Sequence, residues 1–299
     1  MAQIEANGIT IEYEQYGSGE PLLLIMGLGG QLTDWPEGFP QDLAAEGFQV
    51  TIFDNRDIGL STEFDWEPPS QFRAVLGTLA KRPPQAGYLL SDMAGDAAGL
   101  LDALGIDDAH VVGISMGGMI AQLVGINHPE RLLSLTSVMS TTGNPSLPMA
   151  EKHAMEALVA RPNSLDEEDL VAHGLNIARN IGSPGYPLDP ERVRERTISS
   201  VRRSVYPPGL PRQLAAIIDD GCRRSRLASV TAPTLVLHGE DDPLVKLAGG
   251  EDTANHISGA KLVTFPGWGH DLPLDLVEPL ANEVAKHARA VSEKAPEPA

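Results

Sequence analysis

The chain has 299 residues, 42% of them hydrophobic, which suffices for one large α/β domain or two small ones around a sizeable core. Forty-one acidic residues against 22 basic ones give a formal net charge of −19, which argues against nucleic acid or an anionic membrane surface as partner and fits a self-repelling cytoplasmic protein. A single cysteine, Cys222 in "DGCRRSR", excludes an internal disulfide framework and reads as an incidental thiol.

The opening "MAQIEANGITIEYEQYG" has neither a basic start nor an apolar centre, so no signal peptide is expected, and no apolar run approaches the ~20 residues that cross a bilayer. Asn7-Gly8 divides two short strand-like runs and predicts a hairpin turn. "PLLLIMG" (21–27), "FQVTIFD" (48–54) and "HVVGIS" (110–115) are continuous apolar runs of the kind that form strands buried on both faces. Between the last two, Leu89, Met93, Ala97, Leu100 and Leu104 recur at helical spacing and Gly105 stops the pattern. "LLSLTSVMS" (132–140) is a further buried strand. From Asn144 to about Ser229 no strand-like run occurs, only helical stretches punctuated by proline and glycine. "TLVLHG" (234–239) and "KLVTFPG" (261–267) then resume the strands, and the polar, proline-rich end, 291–299, is expected to be disordered. Strands alternating with helices imply a mostly parallel central sheet with helices on both faces. The domain reading is therefore a core formed by 1–143 and 230–290, with 144–229 inserted as a helical cap above the carboxyl edge of the sheet, where ligands bind in such folds; a cap there is a natural lid.

The most informative stretch is Gly113-Ile114-Ser115-Met116-Gly117, a G-x-S-x-G sequence between a predicted buried strand and the helix-like "MGGMIAQLVGINHP". In that context the serine sits on a strained turn with its hydroxyl exposed, and glycines flank it because a Cβ would strike the neighbouring strand or helix. The plainer alternative is a tight glycine turn with Ser115 as helix cap. A serine nucleophile needs a histidine base and a carboxylate to orient it, in the chain order Ser, acid, His. Four histidines follow the cap region. His256 and His287 lie in helical stretches and His238 within a strand run, whereas His270 stands in the glycine-rich "FPGWGHDLP" after the last strand and is the choice for base. The acid should come from the loop after "TLVLHG", which offers Glu240, Asp241 and Asp242. Asp242 is preferred, with Pro243 fixing the backbone behind it, and Asp241 is the fallback. The oxyanion of the transition state needs fixed N–H donors. The N–H of Met116 should be one, and the glycine-rich "IMGLGG" (25–30) should supply the other at Leu28. A phosphate cradle is less favoured, since no Gly-Lys-Ser/Thr follows. No metal-ligand pattern and no cofactor motif is present in the sequence.

"DNRDIGLS", "GISMGG", "HPERL", "GEDDPLV" and "PGWGH", in this order and spacing along the chain, resemble the α/β-hydrolase superfamily across roughly Ile9 to His287. "MGLGGQLTDWP" and "DNRDIGLS" look most like the aclacinomycin methylesterase type, which "PGWGHDLP" and the helical cap also fit. The resemblance implies Ser115 as nucleophile, Asp242 as acid, His270 as base, Leu28 and Met116 as oxyanion donors, and a structural role for "DNRDIGLS" beneath the oxyanion loop. Many members carry His-Gly where this chain has Met26-Gly27, which makes the loop less polar. The function expected is a cofactor-free serine esterase acting on a small-molecule ester, apolar and uncharged. Alternatives on the same triad are a haloperoxidase or perhydrolase and a lactone or carbon–carbon bond hydrolase; a non-catalytic receptor is a third class. Gly27, Leu32, Trp35, Met149, Tyr186 and Tyr206 are candidates for substrate contact, with Leu147, Met155, Leu158 and Leu210 as further apolar possibilities. Oligomeric state is not legible in the sequence.

Overall fold

The structure, a computed structural model, describes residues 1–68 and 86–293. Asn7 and Gly8 both adopt positive φ and fold β1 (Ala2–Ala6) back onto β2 (Ile9–Tyr16). The apolar runs form β3 (Glu20–Ile25), β4 (Phe48–Phe53), β5 (Ala109–Ile114), β6 (Leu132–Val138), β7 (Thr234–Gly239) and β8 (Lys261–Phe265). All eight strands join one sheet in the order β1-β2-β4-β3-β5-β6-β7-β8. β2 is antiparallel to both β1 and β4, and the remaining pairs are parallel.

Nine α-helices lie among the described residues: α1 (Phe39–Ala45), α2 (Leu90–Ala103), α3 (Met116–Asn127), α4 (Lys152–Val159), α5 (Glu167–Ile181), α6 (Pro190–Arg203), α7 (Gly209–Asp220), α8 (Leu247–His256) and α9 (Leu274–Ser292). The central strands β3 to β7 are largely apolar because both faces of the sheet are covered there. Leu23, Ile25 and Val111 pack on one side with α2 and α3, through Met93, Ala97, Leu100, Ile120 and Leu123. Leu22, Leu24, Val112 and Ile114 pack on the other with α1 and α9, through Phe39, Leu43, Leu280 and Val284. Alternate residues of one strand thus belong to two separate cores. Helix α9 runs through Val291 and Ser292, so the start of the expected disordered tail is helical; 294–299 lie outside the described residues.

Two features position the site. First, β3 lies between β4 and β5, so the chain leaves β3 towards one edge of the sheet and later returns on its other side. A crevice forms at such a reversal, beyond the carboxyl ends of β3 and β5. Second, α4 to α7 all fall between β6 and β7 and form a helical insertion. Its helices differ in burial: α5 buries only Val171 and α6 only Val193, whereas α7 buries Gly209, Arg212, Gln213, Ala215 and Ala216. Asp189 accepts hydrogen bonds from the N–H groups of Glu191 and Arg192, and Pro190 occupies the first turn, so α6 starts from a well-formed cap.

Candidate active site

Ser115 ends β5 and caps α3 with φ 55° and ψ −115°, a region that a residue with a Cβ rarely occupies. The turn is held from both sides: the Ser115 N–H donates to the Val138 carbonyl at 2.9 Å, and the Ser140 hydroxyl donates to the Ser115 carbonyl at 2.8 Å. The flanking glycines are required by space. A Cβ on Gly113 would stand 2.0 Å from the Gly117 oxygen, and one on Gly117 would stand 2.0 Å from the Ile25 oxygen. The close contact of the first turn of α3 with β3 and β5 is what lifts the serine clear of the sheet.

The loops after β7 and β8 bring Asp242 and His270 to the same point. His270 Nδ1 lies 2.7 Å from Asp242 Oδ2, and Nε2 lies 2.9 Å from Ser115 Oγ. A carboxylate only accepts, so Nδ1 carries the proton and Nε2 of the neutral ring is left to accept from the serine hydroxyl. The other carboxylate oxygen, Oδ1, accepts from the N–H groups of Leu244 and Val245, each at 2.8 Å. Burial of Asp242 works to raise its pKa, but the His270 ring and the Val245 N–H outweigh it and hold the carboxyl below its ordinary value. Asp241, the fallback, is exposed and accepts from the Gly267 N–H instead. His238 is fully buried; its Nε2 donates to the Val245 carbonyl at 2.7 Å and lies 3.8 Å from Asp242. Burial pushes this imidazole down, so it stays neutral. The segment after Asp242 is therefore fixed from β7 as well as by the carboxylate.

On the opposite side of Ser115 runs the 26–30 loop. A Cβ on Gly27 would be 3.3 Å from the Ser115 Cβ, so this loop touches Ser115. Met116 is the first residue of α3, a position whose N–H has no acceptor within the helix. The loop after β4 braces the 26–30 segment: Asn55 Nδ2 donates to the Met26 carbonyl at 3.0 Å, and Asp54 Oδ1 accepts from the Leu32 N–H at 2.7 Å. The structural role expected of "DNRDIGLS" is what the structure places there.

The same acids also bind the cap, a link that sequence reasoning missed. Arg203 of α6 lies 2.7 Å from Asp54, and Arg212 of α7 lies 3.2 Å from Asp57; all four side chains are buried or nearly so. Burial drives the Asp54 carboxyl up against the lowering effect of Arg203 and the Leu32 and Leu60 N–H groups. The signal was present in kind: two aspartates next to a buried strand need cationic partners, and the cap is rich in arginine. Which arginines meet them could not be read from spacing. The cap also contacts the backbone at His270, since Ile181 accepts from the His270 N–H at 2.7 Å and Ser183 Oγ accepts from the Gly269 N–H at 2.9 Å.

The residues expected to contact substrate are dispersed. Leu32 and Trp35 are core residues, the indole stacked on Phe39 at 5.5 Å, and they line a cleft of about 420 Å³ with Arg192 and Arg196 to which Ser115, Asp242 and His270 contribute nothing. Met149 is 84% exposed and Met155 is also exposed, so both project into solvent rather than into an enclosed space. Tyr206 is engaged in a polar cluster: its hydroxyl donates to the Phe64 carbonyl and accepts from Arg212, each at 2.6 Å. Tyr186 packs against the core on the α1/α9 side. Gly27 lies beside Ser115 as described. Leu210 packs on Gly29, where an added Cβ would be 3.0 Å from its Cδ1. Among the described residues no group of three or more His, Cys, Asp or Glu side chains could hold a metal ion, and no helix is long and apolar enough to cross a membrane.

Comparison with known proteins gives a consistent picture. The model of the α/β hydrolase fold family matches residues 20–275. Rhodomycin D methylesterase DauP of Streptomyces sp. (strain C5) is 30% identical over 97% of this chain and 98% of its own. Rhodomycin D methylesterase DnrP of Streptomyces peucetius is 30% identical over 91% of this chain and 92% of its own. Among solved structures, a thermophilic esterase from Thermogutta terrifontis superposes with a TM-score of 0.70 over 97% of this chain and 98% of that one, at 23% identity, a likeness of fold.

Proposed function

The chain belongs to the α/β hydrolase fold family, and from that premise we propose that it is a serine hydrolase of carboxylic esters acting through Ser115, His270 and Asp242. The observation that carries this reading is the unbroken line from Asp242 Oδ2 through the His270 ring to Ser115 Oγ, with both links between 2.7 and 2.9 Å. Similarity to two methylesterases over nearly the full chain supports an ester as substrate.

Ser115 Oγ attacks the acyl carbon as its proton passes to His270 Nε2. Asp242, held ionised, stabilises the imidazolium and keeps Nδ1 protonated. The carbonyl oxygen takes up the negative charge and is met by the N–H groups of Met116 and Leu28. His270 returns the proton to the departing alkoxide, which leaves as the alcohol. Water then attacks the acyl-enzyme, giving its proton to Nε2, and the carboxylic acid is released with Ser115 restored.

Within this class the reading is an apolar, uncharged ester with a small leaving alcohol such as methanol, or with a short acyl chain. Ester series that vary the alcohol and the acyl chain separately test it, with Ser115→Ala measured alongside the wild type. The variant is expected to lose on the order of 10³-fold or more in kcat while remaining folded. Turnover that survives in Ser115→Ala would overturn the serine mechanism, and a preference for long-chain triglycerides would overturn the substrate class.

A further inference from the structure

The oxyanion loop is the least self-determined part of the site. Gly27, Leu28, Gly29 and Gly30 form a turn closed by the Gly30 N–H donating to the Gly27 carbonyl at 3.3 Å. Gly29 has φ +72°, the conformation that the third residue of a type II turn requires. With glycine at three of four positions, other turn conformations are within easy reach. One of them turns over the peptide between Leu28 and Gly29 and presents a carbonyl where the Gly29 N–H now stands. Nothing within the loop selects between them.

The selection comes from the cap. The Gly29 N–H donates to Gln213 Oε1 at 2.9 Å, and Gln213 Nε2 donates to the Arg56 carbonyl at 2.8 Å. Gln213 lies on α7 and is 0% exposed. Its two ends are not interchangeable, because a donor faces one and an acceptor faces the other. A flipped Leu28–Gly29 peptide would set a carbonyl against Oε1 and leave the buried Gln213 amide facing an acceptor instead of a donor. Leu210, one turn earlier on α7, presses on Gly29 as well. Asn55 holds the near end of the loop at the Met26 carbonyl.

We infer that Gln213, a residue of the cap, is a positioning residue for the oxyanion hole: by pinning the 27–30 turn at the Gly29 N–H it holds in place the loop that carries the Leu28 N–H, one peptide earlier, towards the developing oxyanion. The inference rests on the ester-hydrolase reading above. It makes the cap part of the catalytic apparatus and not merely a cover over it: docking α7 and aligning the oxyanion loop are one event. A donor of this kind acts only if it is in place before charge develops, and loss of an entire oxyanion donor costs ~10²–10³-fold in kcat. Loosening one through its support should cost less, about 10-fold or more.

The test is Gln213→Met, close in size but without either polar end, beside Gln213→Glu, which keeps an acceptor for Gly29. Three quantities are read on each: kcat and KM for the best ester, affinity for a trifluoromethyl ketone that forms a tetrahedral adduct, and hydrogen exchange at Gly29. Gln213→Met should lower kcat about 10-fold or more, weaken the ketone in proportion, leave KM within about threefold, and expose the Gly29 amide to exchange. Gln213→Glu, protonated in this buried place so that its hydroxyl donates to the Arg56 carbonyl, should recover part of kcat and ketone affinity. Wild-type kcat and ketone affinity in Gln213→Met would overturn the inference, as would a rise in KM with kcat unchanged. Should Gln213→Met not fold, Gln213→Glu decides alone: a protected Gly29 amide with ketone affinity near wild type supports the inference, and an exposed amide with unaltered ketone affinity overturns it. Ester turnover by the wild type that does not depend on Ser115 would remove the functional reading itself, and is measured first so that the two failures are told apart.

Discussion

The sheet edge and the cap hold their share of the site by opposite means. At the sheet edge, Ser115, Asp242 and His270 are placed by strands that bury alternate apolar residues in two cores and by glycines that let backbone meet backbone. Helices α5 and α6 of the cap bury one residue each. The cap is joined to the core by specific polar contacts: Arg203 with Asp54, Arg212 with Asp57, and Gln213 with Gly29. Apolar burial is tolerant of exact partner and strong in sum, whereas a buried charge or amide is stable only with its own partner. The core is therefore expected to fail by steric collision, and the cap by orphaned polar groups.

Four substitutions or titrations sharpen that contrast, taken from the largest effect down. Gly117→Ala drives a Cβ into the Ile25 oxygen at 2.0 Å and should cost more than about 4 kcal/mol, read by denaturant unfolding or by failure to obtain folded protein. A mild effect there would mean that the elbow is not held by backbone contact. Arg203→Met leaves Asp54 buried without its cation and should cost about 3–5 kcal/mol. The double variant Arg203→Met with Asp54→Leu should recover part of the loss, a recovery that simple loss of packing would not give.

The third is a pH effect. His238, fully buried, is kept neutral in the folded protein, while the unfolded chain titrates it at about 6.5. Its contribution is complete above about pH 6.5 and is lost as pH falls through the lower folded value, because the unfolded state then binds the extra proton. Burial lowers His110 and His287 in the same sense. Melting temperature should thus decline below about pH 6.5, and His238→Gln should flatten that slope; an unchanged slope would contradict the assignment. Smallest of all is Arg194→Gln. Its ion pair with Glu168 joins two cap helices at the surface, where solvent screens it, and unfolding should be unchanged within error. A clear loss would show that the cap relies on its surface pairs after all.

The same contrast explains what was legible in the sequence. Apolar runs and glycine spacing are local signals, so the strands, the elbow at Ser115 and the loops carrying Asp242 and His270 could be named in advance. Choosing Asp242 over Asp241 was already harder, since adjacent acids differ only in which one the turn aims inward; the structure turns Asp241 to the Gly267 N–H. Cap docking was not legible. Gly29 and Gln213 are 184 residues apart, and Asp57 and Arg212 are 155 apart. Both polar side chains would look equally at home on a solvated helix face. Trp35 and Leu32 read in the sequence as candidates for substrate contact from the main domain, yet with the 3-10 turn over Leu32–Asp34 both pack in the core, Trp35 against Phe39. Met149 marks the converse: an apolar residue in the inserted segment that simply faces water.

The central claim is that three side chains from separate loops act as one proton-transfer line ending at a nucleophilic oxygen. Labelling with a fluorophosphonate, followed by mass mapping of the adduct, tests it most directly. One equivalent on Ser115 in the wild type, with labelling slowed by orders of magnitude in His270→Ala, is the result the account predicts. No adduct, an adduct at another residue, or a labelling rate indifferent to His270 would contradict it.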